Sequence, residues 1–475
     1  MDGISAEVLK AGGETVVNIV KEIIDKIWKT GEWPADWTVS EIVTMPKIAG
    51  TQDCTKYRTL SLISQGSKIL LDIIRQRVSY YVSDQIGEEQ FGFVSGKGTT
   101  DAMLVLRNLM EKSERKNLDT ELWLMFIDYA KAFDTVTHDK IWNVLIEFGV
   151  PRHLVWLIRE LYLKAVGRVR TEDGPSDVFA FEKGVRQGCL LSPMLFNVIG
   201  GKIMRQVESD MEDGGCRIGG RNIWNLRYAD DTTLLAKSKE ELEHLAVSVE
   251  ENSEVYGLTI NRKKTNVMAV NGEGSVQIAG TELERVERFK YLGSIIKNDD
   301  LTSCEIRARI ATAKSVMSSM SEVWSSPKIS RDLKKRLVKS LIWSIALYGC
   351  ESWTLRKADE HALEALEMWV WRRMLRVKWT DRKTNEWVRL QVGVTKDEGL
   401  LRTVMRRKIA KFSHWKRRPE SLPMFVIESD IVGPARTGRP KTCWINNIDS
   451  WTVGGINSAM DCARRRQRPQ MVAMD

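Results

Sequence analysis

Leu226-Arg227-Tyr228-Ala229-Asp230-Asp231-Thr232-Thr233-Leu234-Leu235-Ala236 sets two adjacent carboxylates between two apolar runs. Side chains alternate faces along a strand, so neighbouring acids in one straight strand point apart. Two short strands joined by a tight turn instead lift both onto one exposed tip. Such a pair, joined by a third carboxylate from elsewhere, is what two-metal phosphoryl transfer requires. Other acidic doublets occur at Glu88-Glu89, Glu240-Glu241, Glu250-Glu251 and Asp299-Asp300. Only Asp230-Asp231 has strand-like apolar flanks on both sides; taken alone it reads equally as a charged hairpin tip.

A third acid lies upstream. Leu122-Trp123-Leu124-Met125-Phe126-Ile127 is an unbroken apolar run, the pattern of a central strand buried on both faces, and it ends in Asp128. A carboxylate at the end of a buried strand is costly unless a metal or hydrogen bonds satisfy it. The alternative is Asp128 as a helix N-cap for the residues that follow.

The surroundings bear on this choice. Phe126-Ile127-Asp128-Tyr129-Ala130-Lys131-Ala132-Phe133-Asp134, Gly184-Val185-Arg186-Gln187-Gly188 and Tyr228-Ala229-Asp230-Asp231 stand in the order found in reverse transcriptases. Gly257-Leu258-Thr259-Ile260-Asn261-Arg262-Lys263-Lys264-Thr265 and Tyr291-Leu292-Gly293 follow, and Tyr57-Arg58-Thr59-Leu60-Ser61-Leu62 and Gln90-Phe91-Gly92-Phe93 precede. The set resembles the reverse transcriptase of non-LTR (LINE-type) retrotransposons from about Asp2 to Leu292, and more loosely through the tail. The resemblance implies an α+β right-hand polymerase: a fingers region over 1–120, a palm with an antiparallel sheet over 121–295, a helical thumb over 296–348, and a basic, mainly helical C-terminal region over 349–475 that binds nucleic acid.

It further implies that Asp128, Asp230 and Asp231 bind two Mg²⁺ ions, with Mn²⁺ as a substitute and Asp231 as the candidate for an outer role; oxygen-only ligands suit such ions. The substrates would be a DNA primer, an RNA template and dNTPs. Phe133 would exclude a ribose 2′-OH, with plain core packing as the alternative. Gln187 would approach the incoming nucleotide and Gly188 would allow close backbone approach. Lys47 and Arg58 would clamp the triphosphate; Thr59 stands where the family usually has proline. Lys264 is the candidate general acid for pyrophosphate, against Lys263 as rival and an inert exposed lysine as the alternative. Because Met1 falls inside the first family motif and the tail has no Cys/His cluster, the expectation is an N-terminally truncated copy that lacks the endonuclease. The competing reading is a catalytically inactive, retrotransposon-derived nucleic-acid-binding protein.

The rest of the chain fits an ordinary globular protein. Hydrophobic residues make up 43% and charged residues 28% of its 475 positions. No apolar run approaches the roughly 20 residues of a membrane span, and the N-terminus lacks the pattern of a signal peptide, so an intracellular protein of cytoplasm or nucleus is expected. Seven scattered cysteines, none in CxxC spacing, and five histidines speak against a disulfide framework or a zinc site. Charge is uneven: residues 401–475 hold 15 Lys+Arg and 6 Asp+Glu, so the whole net charge of +9 belongs to the tail. Lys408, Lys411, Lys416, Arg417 and Arg418 around Trp415, and Arg464-Arg465-Arg466 with Arg468, suggest phosphate tracking and base stacking there, whereas Thr437-Gly438-Arg439-Pro440-Lys441 reads first as a basic Gly/Pro linker and second as a minor-groove arginine motif. Helical periodicity predicts helices over Val16–Trp28, Ile69–Val82, Met103–Met110, His138–Phe148, Met194–Met204 behind a Ser192 N-cap, Glu240–Tyr256, Ile306–Trp324, Leu333–Ala346, Glu360–Arg376 and Leu400–Trp415.

Overall fold

The computed structural model describes residues 3–116, 121–210, 214–299, 302–438, 441–464 and 471. Its centre is a five-stranded sheet in the order Glu284–Arg285, Asn266–Val270, Leu122–Ile127, Asp231–Ala236, Asn225–Tyr228. The three middle strands and the Asn225 edge run antiparallel; only the short Glu284 strand is parallel to its neighbour. All six residues of Leu122–Ile127 are buried. Alternation explains why the run is apolar throughout. Trp123, Met125 and Ile127 join a core that includes Leu195, Ile199, Leu242 and Leu245, whereas Leu122, Leu124 and Phe126 join Leu106, Leu109 and Tyr291 on the other side. Helices Ser192–Ser209 and Lys239–Glu254 therefore cover one face, and helix Thr99–Glu114 with the hairpin Arg288–Tyr291/Ser294–Lys297 covers the other. Phe289 of that hairpin stacks on Phe126 with ring centroids 3.9 Å apart.

A second sheet is built on Val39–Pro46, which pairs antiparallel with Tyr57–Leu62 and parallel with Val166–Thr171. The boundary expected at residue 120 is thus crossed in both directions. Val166–Thr171 leaves the palm segment to complete the N-terminal sheet, and Thr99–Glu114 leaves the N-terminal segment to cover the central sheet. Both moves bury apolar faces that neither segment can cover alone.

The predicted helices form, with shifts at their ends. Leu191 stands at the N-cap position of Ser192–Ser209, and Ser192 lies inside the helix, contrary to the expected Ser192 cap. The single helix expected over Ile306–Trp324 ends at Ser319 and resumes as Ser321–Ser325. Leu333–Ala346 lies within one continuous run that widens to π-helical turns at Val338–Ile342. Glu111, just past the expected Met103–Met110 helix, is buried, and its carboxylate accepts from the Trp444 amide and the Thr354 hydroxyl.

The C-terminal helices form a separate core rich in tryptophan, with Trp324, Trp353, Trp371, Trp415 and Trp444 all nearly inaccessible. This corrects the reading of the basic tail. Lys408 is 0% exposed; its ammonium donates to the Trp353 carbonyl and to Asn447 Oδ1, each at 2.7 Å, and lies 4.6 Å from the Trp444 ring. Burial holds its pKa well below the usual lysine range. Trp415 is no stacking platform either: its indole donates to buried Asp101 at 2.5 Å, and Lys411 ion-pairs with the same carboxylate at 3.0 Å. Lys416 pairs with Glu428 and Lys441 with Glu114. Arg439, Pro440, Arg465, Arg466 and Arg468, like Asp300, lie outside the described residues. Among the described residues no helix is long and apolar enough to cross a membrane.

Candidate active site

Asn225–Tyr228 and Asp231–Ala236 form the hairpin expected around the acidic pair, with Tyr228 paired to Asp231 across a two-residue turn. Ala229 begins that turn at φ 57°, in the region that glycine normally occupies. A side chain there costs about 1 kcal/mol, so the turn needs outside support. Support comes from Gln90, which is 1% exposed: its amide oxygen accepts from Ala229 N–H at 3.0 Å and from Gly92 N–H at 2.8 Å. Phe91 N–H donates to the Arg227 carbonyl, and Arg227 N–H to the Glu89 carbonyl, so residues 89–91 line the free edge of the Asn225 strand. Any Cβ at Gly92 would lie 2.4 Å from Ala229 N, which requires glycine. Sequence reasoning found this motif but assigned Gln90 no task; the signal was its place in Gln90-Phe91-Gly92-Phe93.

The register places Thr232 against Ile127, so Asp231 falls opposite Asp128 as the central strand ends. Asp128 is anchored from a second direction. Its carbonyl accepts from Asn261 N–H at 2.7 Å, its N–H donates to Thr265 Oγ1, and Ala130 N–H donates to the Thr259 carbonyl. The Gly257–Thr265 segment thereby carries Lys264 to the site, with its Nζ 3.8 Å from Asp128 Oδ2 and largely open to solvent. Lys264 rather than Lys263 is the lysine placed against Asp128.

The electrostatics are those of crowded carboxylates. Partial burial raises the Asp230 pKa; the Asp128 charge raises it further, and Arg58 offsets part of this. Asp231 rises to about 6, first through the protein packed around it and then through Asp230 and Asp128, although its side chain is exposed. Among the described residues no three His, Cys, Asp or Glu side chains converge as a ready-formed cage. The fit to a divalent cation rests on the donor set: three carboxylates gathered at one place, two of which, Asp230 and Asp231, are pushed up in proton affinity, a strain that a cation relieves.

In front of the hairpin lies a cavity of about 1290 Å³ whose lining includes Asp230, Phe133, Gln187, Gly188 and Arg58. Phe133 is half-buried and stacks on Phe196, with centroids 4.6 Å apart, so its ring is held in place while one edge faces the cavity. The Gln187 carbonyl accepts from Ser61 N–H at 2.7 Å, which joins the Arg-Gln-Gly turn to the strand that carries Arg58. Gly188 has φ 102°, and a Cβ there would lie 2.6 Å from the Ser61 carbonyl oxygen. Lys47 is not part of this lining. It lies exposed just beyond the Val39–Pro46 strand, and its charge is felt at Asp134 rather than at the aspartate cluster. The structure adds Phe93, 63% exposed on the cavity wall with φ 58°.

Replacing Gln90 by leucine strands two buried N–H donors at about 1–3 kcal/mol each. The expected result is a denaturation midpoint clearly below that of the wild type in urea or thermal unfolding. An unchanged midpoint in Gln90→Leu removes the amide from its role in holding the turn.

The chain is 26% identical over 290 residues to the Pol polyprotein of an R2 retrotransposable element from Nasonia vitripennis, covering 58% of this chain and 28% of that one. It is 24% identical over 388 residues to the R2DM Pol polyprotein of Drosophila melanogaster, covering 78% and 35%. Against the transposon TX1 149 kDa protein of Xenopus laevis the values are 24% over 278 residues, covering 58% and 21%. The chain therefore spans about a third or less of the length of these relatives. A solved apo telomerase from Candida tropicalis superimposes with a TM-score of 0.43 at 14% identity, over 88% of this chain and 73% of that one. The profile described as reverse transcriptase (RNA-dependent DNA polymerase) matches residues 45–296, more than half of the chain and all of the groove's aspartates, and the chain belongs to that family.

Proposed function

We propose that the groove is the active site of an RNA-directed DNA polymerase that extends a DNA primer with dNTPs on an RNA template. The observation that carries this reading is the assembly on one groove of Asp230, Phe133, Gln187, Gly188 and Arg58, from four separate segments, with Asp128 in register opposite Asp231. Reverse transcriptases use divalent metal ions, and here Asp128 and Asp230, with Asp231 beside them, would hold two, of which Mg²⁺ best suits the oxygen donors. Ions held there would supply activation of the primer 3′-OH and neutralisation of triphosphate charge.

The chain's own residues supply the remainder. Arg58 meets triphosphate oxygens with a planar fork of donors. Phe133, braced by Phe196, occupies the space that a ribose 2′-OH needs. Gln187 and the bare backbone at Gly188 form the floor on which the nucleotide lies. Lys264 is placed to return a proton to the leaving pyrophosphate, and Lys47 serves the triphosphate only from the rim. The segments 1–120, 121–295, 296–348 and 349–475 correspond to fingers, palm, thumb and C-terminal region, with the exchanges of chain already described.

Purified protein, a primer annealed to an RNA template, dNTPs and Mg²⁺ should give template-directed extension; absence of product under all metal conditions returns the chain to the nucleic-acid-binding reading. Within that assay Lys264→Ala is expected to slow single-turnover extension about a hundredfold. Lys264→Arg, which keeps the charge beside Asp128 but releases protons poorly, should be nearly as slow, and Lys263→Ala should be unaffected. Full rescue by arginine reduces Lys264 to a counter-charge.

A further inference from the structure

A second surface, away from the groove, combines cationic charge with an uncovered aromatic ring. From Trp369 to Arg389 the chain carries seven Lys or Arg against two acids, together with four tryptophans, of which Trp371 is buried in the core. Two of the rings are already engaged. Trp369 lies under Arg373 and Lys314, at 5.1 and 5.6 Å, beside a cavity of about 690 Å³, and Trp387 lies under Lys383 at 4.9 Å. Trp379 is different: it is 87% exposed, and among the described residues no ring or cation covers it.

The segment that presents it is built, not loose. Helix Lys357–Leu375 ends at Arg376, φ 62°, and Val377 N–H returns to the Arg372 carbonyl at 2.9 Å. The Asp381 carboxylate accepts from Lys378 N–H at 2.8 Å, and Arg382, φ 46°, donates its N–H to the Trp379 carbonyl at 3.2 Å. The Arg372 guanidinium straps the far end by donating to Asn385 Oδ1 at 2.8 Å and to the Lys383 carbonyl at 3.0 Å. Two non-glycine residues in left-handed conformation bracket an indole that is held outward. A large ring held outward on an ordered turn offers a free stacking face.

The charge indicates which partner. Arg376, Lys378, Arg382 and Lys383 are all exposed around the ring. Cations track phosphates without regard to sequence, and a free aromatic face stacks on a base. Paired bases are already stacked on one another, so a projecting indole selects unpaired ones. We infer that the Arg376–Lys383 turn is a docking site for single-stranded nucleic acid, with Trp379 stacked on one base and the four cations on flanking phosphates. This does not depend on the chemistry of the groove.

The test uses the full chain and a labelled, unstructured 12-nucleotide RNA. Trp379→Ala should weaken binding about tenfold; Trp379→Phe, which keeps a π-face, should restore most of it, and Trp379→Leu should not. Lys378→Glu with Arg382→Glu should weaken binding and flatten its salt dependence. Crosslinks from 4-thiouridine RNA should map to residues 376–383. Wild-type affinity in Trp379→Leu identifies the turn as an apolar surface for a protein and overturns the inference, as do crosslinks confined to the groove. Because Trp379 lies outside the groove, extension at saturating primer–template should stay unchanged in these variants. Loss of extension in the wild type with crosslinking intact would count against the polymerase reading alone.

Discussion

Asp230→Asn should lower primer extension by on the order of a thousandfold or more and, in metal-free buffer at neutral pH, leave the fold more stable than wild type. Asp231→Asn should share the second effect. The opposite signs have one cause. Three carboxylates brought together by the strand register repel one another and lose part of their hydration, which opposes folding. Asp231 shows how this depends on pH. Its folded pKa, about 6, lies above the 3.8 of the unfolded chain, so the folded state binds its proton more tightly. The metal-free protein therefore loses stability as pH rises from about 4 to about 6, and the cost stays in place above that range. An uncharged asparagine of the same shape avoids the cost, so its advantage in melting temperature should be present at pH 7 and fade towards pH 4. Mg²⁺ should reverse the order by binding the folded wild type through its charges, and should do little for the variants. Melting curves with and without Mg²⁺ across pH, beside extension rates, test both halves. Extension that survives Asp230→Ala plus Asp231→Ala would sink the metal assignment.

Phe133→Val should erase most of the preference for dNTPs over rNTPs, a change of roughly a hundredfold in the ratio of kcat/KM, with dNTP incorporation itself reduced far less. The magnitude follows from what a shaped apolar wall can do by sterics, about 10–200-fold per group admitted or refused. The wall can act this way because Phe133 does not stand free: Phe196 stacks behind it, and the Phe133 carbonyl accepts from Val185 N–H at 2.6 Å, which fixes the short helix Ala132–Thr135 against the Gly184–Gly188 segment. The ring is thus both packed and presented: one part rests on Phe196 and the other lines the cavity. Competition between dTTP and UTP at a single template adenine measures the ratio. A valine variant that still refuses UTP moves the discrimination elsewhere, to Gln187 or to the neighbouring backbone.

Much of the candidate site was legible in the chain because its elements are local. The apolar run before Asp128 and the doublet between two strand-like flanks depend on alternation and turn chemistry over ten residues, and both elements form where expected. Gln90 was quoted but not understood, since its acceptor role exists only when residues 89–91 lie along the Asn225 strand, some 139 positions away. Lys47 was assigned to the triphosphate from its place in a motif, yet the strand ends at Pro46 and leaves it exposed, outside the cavity lining.

The sequence by itself determined the order of the carboxylates, the strands that hold them and the helices that cover the sheet, because these follow from neighbours a few residues apart. Only the tertiary structure decided which charges and rings meet solvent. Lys411 reaches Asp101 across 310 positions, Lys408 is enclosed by Trp353, Trp444 and Asn447, and the tail's surplus of cations is partly spent inside the protein. Trp379, in a stretch of similar composition, is held in water by an ordered turn, and among the described residues no ring or cation covers it. Hydration of a charge or a ring depends on whatever packs against it, and that is settled by the whole fold rather than by the residues beside it in the chain.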